Sequence, residues 1–479
     1  MNAAPELLNR LAAAGQSHLV DFLPELSDSE AQELLSQLEA LDFTELTSLA
    51  RDYVLQRPET LIPENIAPAP YFPRVPRDDA ELQRYQKAEA LGAELIASGA
   101  VAFLTVAGGQ GTRLGYNAPK GTYPIGPVTG RSLFAYFGEG IRRLGERCGR
   151  KLTWYVMTST LNRAATEEFF HDHGFFGLEP DQVFFFTQGT MPAFGRDGKL
   201  LLAGKSSLAL SPNGHGGTLL ALRKSGALEK MEKEGTRIIS YFQVDNPLAP
   251  FADPLFLGLH ELEKAEMSAI MLPKTGPFEK LGNFCSCDGR ISIIEYSDLP
   301  AELAESRNED GSLRFISGSP AIHLISRDFV SRLTADGTLR LPWHRADKKI
   351  PFIDRSGNRV EPTEPNGVKL ESFIFDALPL AERVVVLEGV REEMFAPTKN
   401  AVGVDSVESC RAMLTARDAR RLRDAGAAVA MHADGTPAVR LELSPGVIFD
   451  DADAVEYVSR CAEKCGRLRV IAGGTLVVE

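Results

Sequence analysis

The sequence predicts an α/β fold: a Rossmann-like, doubly wound mixed sheet, preceded by a helical segment and followed by a small β-rich domain. Three observations carry that expectation. Runs such as "VAFLTVA", "LTWYVMTS" and "RIISYFQV" are apolar throughout rather than alternately, as in strands covered on both faces. Helical patterns such as "GGTLLALRKSGALEKMEKEG" lie between such runs, the order of a sheet layered with helices. The 479 residues leave room for more than one domain, and the pattern changes near both ends.

Residues 1–98 read as a helical segment. In "SDSEAQELLSQLEAL", Ser27 and Glu30 have the spacing of a capping box, and Leu34, Leu35, Leu38 and Leu41 form one apolar stripe. Six prolines between Pro58 and Pro76 exclude helix or central strand there and predict an extended tether lying over a neighbour. The helical "DDAELQRYQKAEALGAELIASG" leads into the first strand of a central domain, residues 99–395. Further strands are expected at "VFFFTQ", "MSAIMLP" and "RVVVLEG". Residues 396–479 read as a helix, "SVESCRAMLTARDARRLRDAG", followed by short β-like pieces, "AVRLEL", "GVIFD" and "LRVIAGGTLVVE".

The composition is that of a globular protein, with 44% apolar and 24% charged residues. A formal net charge of −13 opposes a nucleic-acid or anionic-membrane binder, either of which needs a basic face. No secretory leader and no apolar run near the roughly 20 residues of a membrane span is read. The six cysteines contain no CxxC, and Cys285 and Cys287 lack histidines nearby in sequence to complete a zinc site. Reduced thiols and a cytoplasmic location are the resulting expectation.

The stretch "VAFLTVAGGQGTRLGYNAPKG" carries the chemistry. It is not a Walker A loop, because Lys120 stands between Pro119 and Gly121. Nor does it complete a dinucleotide fingerprint, because Leu114 stands where the third glycine belongs. What remains is a strand followed by Gly108, Gly109 and Gly111, which let backbone N–H groups approach phosphate oxygens. Thr112 adds a hydroxyl, and Arg113 and Lys120 add two cations at a strand's end, where open sheets bind ligands.

This loop closely resembles the signature of the eukaryotic-type UDP-sugar pyrophosphorylases, nearest to the branch that makes UDP-N-acetylglucosamine. "FFTQGTMPA", "LSPNGHGG", "QVDNPLAPFADP", "IIEYSDL", "KKIPFID", "PNGVKLESFIFD" and "FAPTKNA" follow in that family's order, from about Leu82 to Ala401. The resemblance implies a nucleotidyltransferase core (GT-A-like) and transfer of uridylate from UTP to a sugar 1-phosphate, giving a UDP-sugar and pyrophosphate. It implies that Gly108, Gly109, Gly111, Thr112, Gln188, Gly214 and His215 bind the nucleotide, with the amide of Gln188 reading uracil. Arg113, Lys120 and Lys399 are the implied catalytic cations, and Asp245 the implied ligand of Mg²⁺, which takes one or two carboxylates beside phosphate oxygens. Gly282, Glu295, Ser319, Phe373 and Phe375 are implied at the sugar. Phe373 and Phe375 alternate as strand residues do, so a core role stands beside that one. His171 and His173 are read as surface.

Two departures bear on the sugar. The family's G-N-I-A-N-H is here Gly318–His323, "GSPAIH", so Ser319 replaces an asparagine; His215 likewise stands where asparagine is usual. N-acetylglucosamine 1-phosphate is the expected acceptor, with glucose 1-phosphate or relaxed specificity as alternatives. A nucleotide-sugar sensor without catalysis and an NAD-dependent oxidoreductase are the other readings. The first leaves the full set of cations unexplained, and the missing third glycine opposes the second. Oligomeric state is not legible.

Overall fold

A computed structural model of the chain describes residues 3–57, 65–465 and 467–479. Its residues gather into two compact units. One comprises Met1–Ile62, Gln188–Thr218 and Arg340–Ala377; the other comprises Pro63–Thr187, Leu219–Leu339 and Leu378–Glu479.

In the first unit the expected capping box forms. Ser27 Oγ accepts from Glu30 N at 3.4 Å while Glu30 Oε2 accepts from Ser27 N at 2.9 Å, starting the helix Asp28–Glu39. Leu34, Leu35 and Leu38 are buried in one core with Phe43, Phe194, Leu200 and Val368, so the stripe does what its period requires. A three-stranded antiparallel sheet, His344–Lys348, Gly367–Glu371 and Phe194–Gly195, belongs to the same unit.

The second unit is built on an 11-stranded mixed sheet. Its strands are β1 (Ile66–Pro68), β2 (Val101–Val106), β3 (Trp154–Thr158), β4 (Val183–Thr187), β5 (Ile238–Gln243) and β6 (Met267–Pro273). There follow β7 (Gly282–Cys287), β8 (Arg290–Ile294), β9 (Ser317–Ser319), β10 (His323–Ser326) and β11 (Val384–Glu388). The order is β1-β7-β9-β6-β10-β5-β2-β3-β4, with β8 beside β7 and β11 beside β6. The neighbours β5, β2, β3 and β4 run parallel, and β10 runs antiparallel to both β5 and β6. Val101, Ala102, Phe103 and Leu104 are each 2% exposed or less, which is why their run shows no alternation.

Of the proline-rich tether, residues 58–64 lie outside the described residues. The rest is extended as expected: β1 pairs with Cys285–Cys287 of β7, and Phe72 exchanges backbone hydrogen bonds with Val386 and Glu388. The pattern "GGTLLALRKSGALEKMEKEG" is interrupted: Gly226, at φ 78°, separates the helices Thr218–Lys224 and Ala227–Glu234. At the C-terminal end the helices Val407–Asp424 and Asp451–Cys465 accompany two short parallel strand pairs, Ala428–Val429 with Arg469–Val470 and Arg440–Leu443 with Thr475–Val478.

Two local expectations need correction. "GVIFD" is a turn rather than a β piece: Val447 N and Ile448 N both donate to the Ser444 carbonyl, and Ser444 Oγ accepts from Gly446 N at 3.1 Å. Phe373 and Phe375 are not strand residues. The strand ends at Glu371, and a 3₁₀ segment, Ile374–Leu380, begins where Asp376 Oδ2 accepts from Phe373 N at 3.3 Å. Among the described residues no helix is long and apolar enough to cross a membrane.

Candidate active site

In the second unit the glycine-rich loop leaves the C-terminal end of β2, a central strand. It folds on itself: Gly111 N donates to Ala118 O at 3.0 Å and Lys120 N to Gly109 O at 3.1 Å. Thr112 and Arg113 lie in a single 3₁₀ turn closed by Gly115 at φ 69°. A Cβ at Gly109 would meet nothing within 4 Å, so space stands open before its backbone. Gly108 is half-buried, whereas Gly109, Thr112 and Arg113 are exposed.

Lys120 turns inward. Its Nζ donates to Asp245 Oδ2 at 2.8 Å, and the two side chains retain only 11% and 20% of their exposure. Asp245 follows β5, which pairs in register with β2; strand pairing therefore sets the carboxylate beside the loop. Burial by itself would raise the carboxyl pKa. The charge and hydrogen bond of Lys120, then the charges of Lys399 and Arg113, outweigh burial and hold it below the usual carboxylate value. The chain thus brings one carboxylate and three cations to a common field. Lys399 is tied by backbone: Thr398 N donates to Asp245 O at 2.9 Å and Lys399 N to Asp405 O at 2.7 Å. Its amino group stands 3.5 Å from Asp405 Oδ2.

Three of the expected sugar residues also meet. Gly282 on β7 is the register partner of Ser319 on β9, and a Cβ at Gly282 would stand 3.5 Å from Glu295 Oε1. After Ser319, Pro320 is followed by Ala321 at φ 59°, with Ala321 N donating to Ser319 Oγ at 3.4 Å. The chain turns sharply directly after Ser319.

The first unit holds the remaining residues. Gln188 Nε2 donates to Gly214 O at 2.6 Å. Gly214 lies at φ 86°, and a Cβ there would fall 2.2 Å from the Ser372 carbonyl oxygen; only glycine fits. His215 stacks on Phe373 with ring centroids 5.1 Å apart, and Phe375 lies 5.1 Å from Phe373. His215 Nδ1 accepts from Ile374 N at 3.1 Å, so in the neutral ring the proton sits on Nε2. Burial, and secondarily the charge of His344, push its pKa down to about 4.

Sequence reasoning missed three residues here. Asn162, 1% exposed, donates from Nδ2 to Ala107 O at 2.8 Å and to Gly109 O at 3.3 Å, holding the root of the glycine loop. His344 stacks on Phe373 at 4.3 Å and pairs through Nε2 with Asp376 Oδ2 at 2.8 Å. Glu442 is fully buried; it accepts from Val128 N, Thr129 N, Thr129 Oγ1 and Arg131 Nη1, fixing the turn downstream of Lys120. A single polar residue leaves no periodic trace in sequence, and each of these acts on a distant segment. The exception is "KKIPFID", whose neighbourhood in sequence holds His344. His171 and His173 are exposed, as read.

Comparison with known proteins establishes the family. A sequence model of the UTP–glucose-1-phosphate uridylyltransferase family matches residues 45–441. The chain belongs to that family of nucleotidyltransferases. It is 37% identical over 472 residues to a UDP-N-acetylhexosamine pyrophosphorylase-like protein 1 of Xenopus tropicalis, covering 92% of this chain and 91% of the relative. It is 36% identical to the UDP-N-acetylglucosamine pyrophosphorylase of Saccharomyces cerevisiae, covering 95% and 97%. Among solved structures, the uridine diphosphate N-acetylglucosamine pyrophosphorylase of Trypanosoma brucei superposes with a TM-score of 0.81 at 26% identity, over 100% and 99% of the two chains.

Proposed function

We propose that this protein transfers the uridylyl group of UTP to N-acetylglucosamine 1-phosphate, giving UDP-N-acetylglucosamine and pyrophosphate. The observation that carries the reading is the buried Asp245 carboxylate held in the field of Lys120, Lys399 and Arg113 beside a glycine loop. Family membership and the names of the relatives point the same way.

An oxygen of the sugar phosphate attacks the α-phosphorus of UTP, and the bond from that phosphorus to the β-bridging oxygen breaks. Pyrophosphate leaves with that electron pair. The attacking oxygen is already ionised at neutral pH, so no general base is needed. The obstacle is repulsion between polyanions. Arg113, Lys120 and Lys399 offset it and hold the reactants in line.

Among the described residues no group of three His, Cys, Asp or Glu side chains could hold a metal ion. A lone carboxylate suits Mg²⁺ brought in on triphosphate oxygens, with Asp245 as the protein ligand. When bound, Mg²⁺ supplies further charge neutralisation at the phosphates. Gly108, Gly109, Gly111 and Thr112 take the phosphates, while Gln188 and Gly214 take the base, with His215 beside them. Gly282, Glu295, Ser319, Phe373 and Phe375 take the sugar.

Ser319 in place of the family's asparagine replaces a two-sided amide with a short hydroxyl. Uridylyl transfer is therefore retained while the preference between N-acetylglucosamine 1-phosphate and glucose 1-phosphate is relaxed. Pyrophosphate release across a panel of sugar 1-phosphates, for the wild type and Ser319→Asn, tests this. Sharper preference in the variant is expected, and identical turnover profiles would count against the assignment of Ser319.

A further inference from the structure

A cavity of about 1060 Å³ opens in the second unit, lined by residues that no role above has used. Its volume is that of a small-molecule site. Ile96, Leu144, Phe251, Ile448 and Phe449 give it an apolar floor, with the rings of Phe251 and Phe449 5.3 Å apart. Its lining also carries Arg74, Arg147, Arg417, Arg420 and Arg421, together with Asp253, Glu393, Asp450 and Asp451. Four of these are matched. Arg74 bonds Asp253 at 2.6 Å, Arg417 bonds Asp418 at 2.7 Å, Arg420 bonds Glu393 at 2.5 Å, and Arg147 bonds Asp450.

Arg421 is paired less closely. Its Nη1 donates to the Phe449 carbonyl at 2.8 Å, but its Nε is buried without a hydrogen bond. The carboxylate nearest that nitrogen, Asp451, stands 3.3 Å away with its side chain 66% exposed, where water weakens the pairing. Burial, and secondarily the charge of Arg417, lower the guanidinium pKa to about 10. An anion in the cavity would give the Arg421 Nε the hydrogen-bond acceptor it lacks.

The walls connect to the candidate active site within the same unit. Residues 247–254 line the cavity and directly follow Asp245 and Asn246. Val390, Glu393 and Met394 line it and shortly precede Lys399. Asn246 fastens the two segments: its Nδ2 donates to Met394 O at 2.7 Å and its Oδ1 accepts from Ala396 N at 2.9 Å. Thr398 N then donates to Asp245 O. A body wedged against residues 247–254 and Met394 acts on the separation of Asp245 from Lys399.

We propose that this cavity is a second small-molecule site, taking an anion carried on an apolar body, and that its occupancy alters transfer through the Asn246 fastening. The first half stands by itself; the second rests on the activity proposed above.

The probe is 8-anilinonaphthalene-1-sulfonate, a bicyclic aromatic anion whose fluorescence rises in apolar surroundings. Saturable binding of one dye per chain is expected, weakened at least tenfold by Arg421→Gln and by Ala97→Trp. Ala97 lies on an exposed helix position at the cavity wall, so the tryptophan fills space without entering the core, and this variant decides should Arg421→Gln fail to fold. A non-saturating signal, or equal titrations in the wild type and folded Ala97→Trp, overturns the site. So does a dye signal lost in Lys120→Met but kept in Ala97→Trp, since that places the dye at the glycine loop. Saturating dye should change the rate of pyrophosphate release at least twofold in the wild type and leave Ala97→Trp unaffected; equal rates with and without dye overturn the coupling. The fluorescence arm reads out even if no sugar 1-phosphate supports turnover.

Discussion

Lys120→Met removes a charge while keeping most of the side chain's length, and its consequences can be worked from one contact. Lys120 Nζ lies 2.8 Å from Asp245 Oδ2, with both side chains mostly buried. At an effective dielectric of about 20, unit charges at that separation attract by about 6 kcal/mol. Desolvation cancels much of this, and removing one partner of a buried pair costs about 3–5 kcal/mol. Residual exposure, and the charges of Lys399 and Arg113 that still face Asp245, put the stability loss near the lower figure. Burial is then opposed by fewer cations, so the Asp245 carboxyl pKa rises from its lowered value. On transfer, losing one preorganised charge at the phosphates lowers kcat by about 10²–10³-fold. The assay is pyrophosphate release at saturating sugar 1-phosphate, on protein whose circular dichroism and thermal unfolding show that it is folded. Lys120→Arg should recover part of the rate. A folded Lys120→Met with kcat/KM for UTP within threefold of wild type refutes the role given to Lys120.

The other predictions concern geometry and protons. Gly214→Ala places a methyl group 2.2 Å from the Ser372 carbonyl oxygen at φ 86°, a region that costs other residues about 1–3 kcal/mol; it should lower kcat/KM for UTP at least tenfold, and unchanged kinetics contradict the placement of Gln188 and Gly214 at the base. Glu442→Ala strips four donors of their acceptor and leaves Arg131 buried with Glu139 as its remaining close partner; a loss of about 3 kcal/mol is expected in urea unfolding, and a loss under about 1 kcal/mol contradicts the clamp. Burial holds His260, 1% exposed in the helix Pro254–Leu262, at about 3 and His215 at about 4, below the ordinary value near 6.5. Both therefore take up protons more readily unfolded, so their contribution is complete above pH 6.5. It falls as pH drops from 6.5 toward 4, by up to about 1.4 kcal/mol per pH unit for each group. The urea midpoint should drop between pH 7.5 and pH 5, and a constant midpoint contradicts this.

Much of the second unit was legible because buried parallel strands and their helices write continuous, periodic patterns. "VAFLTVA", "RIISYFQV" and "MSAIMLP" became β2, β5 and β6 within a residue or two at each end. The glycine loop was legible for another reason: three glycines followed by Arg113 and Lys120 make no sense as core or as ordinary turn. The meeting of Lys120 with Asp245 required β2 and β5 to be neighbours, which only the tertiary pairing reveals. The first unit was harder. Its three stretches are separated by more than a hundred residues, and sequence adjacency gives no hint that Met191, Val368 and Leu34 share a core. Phe373 and Phe375 mimic strand alternation because both rings enter the same aromatic cluster, although Asp376 has already turned the backbone. The helix Asp451–Cys465 was missed because short β-like runs flank it in sequence, although Ala454 and Val458 recur at helical spacing and are buried in one core.

The central claim is that the α-phosphorus of UTP moves to a sugar phosphate. It is tested most directly by incubating the purified protein with Mg²⁺, N-acetylglucosamine 1-phosphate and UTP labelled at the α-phosphate, with a parallel sample labelled at the γ-phosphate. The account predicts that α label appears in UDP-N-acetylglucosamine and γ label in pyrophosphate, in equal amounts and only when the sugar phosphate is present. UTP left intact with N-acetylglucosamine 1-phosphate, glucose 1-phosphate and every other sugar 1-phosphate tried would contradict it.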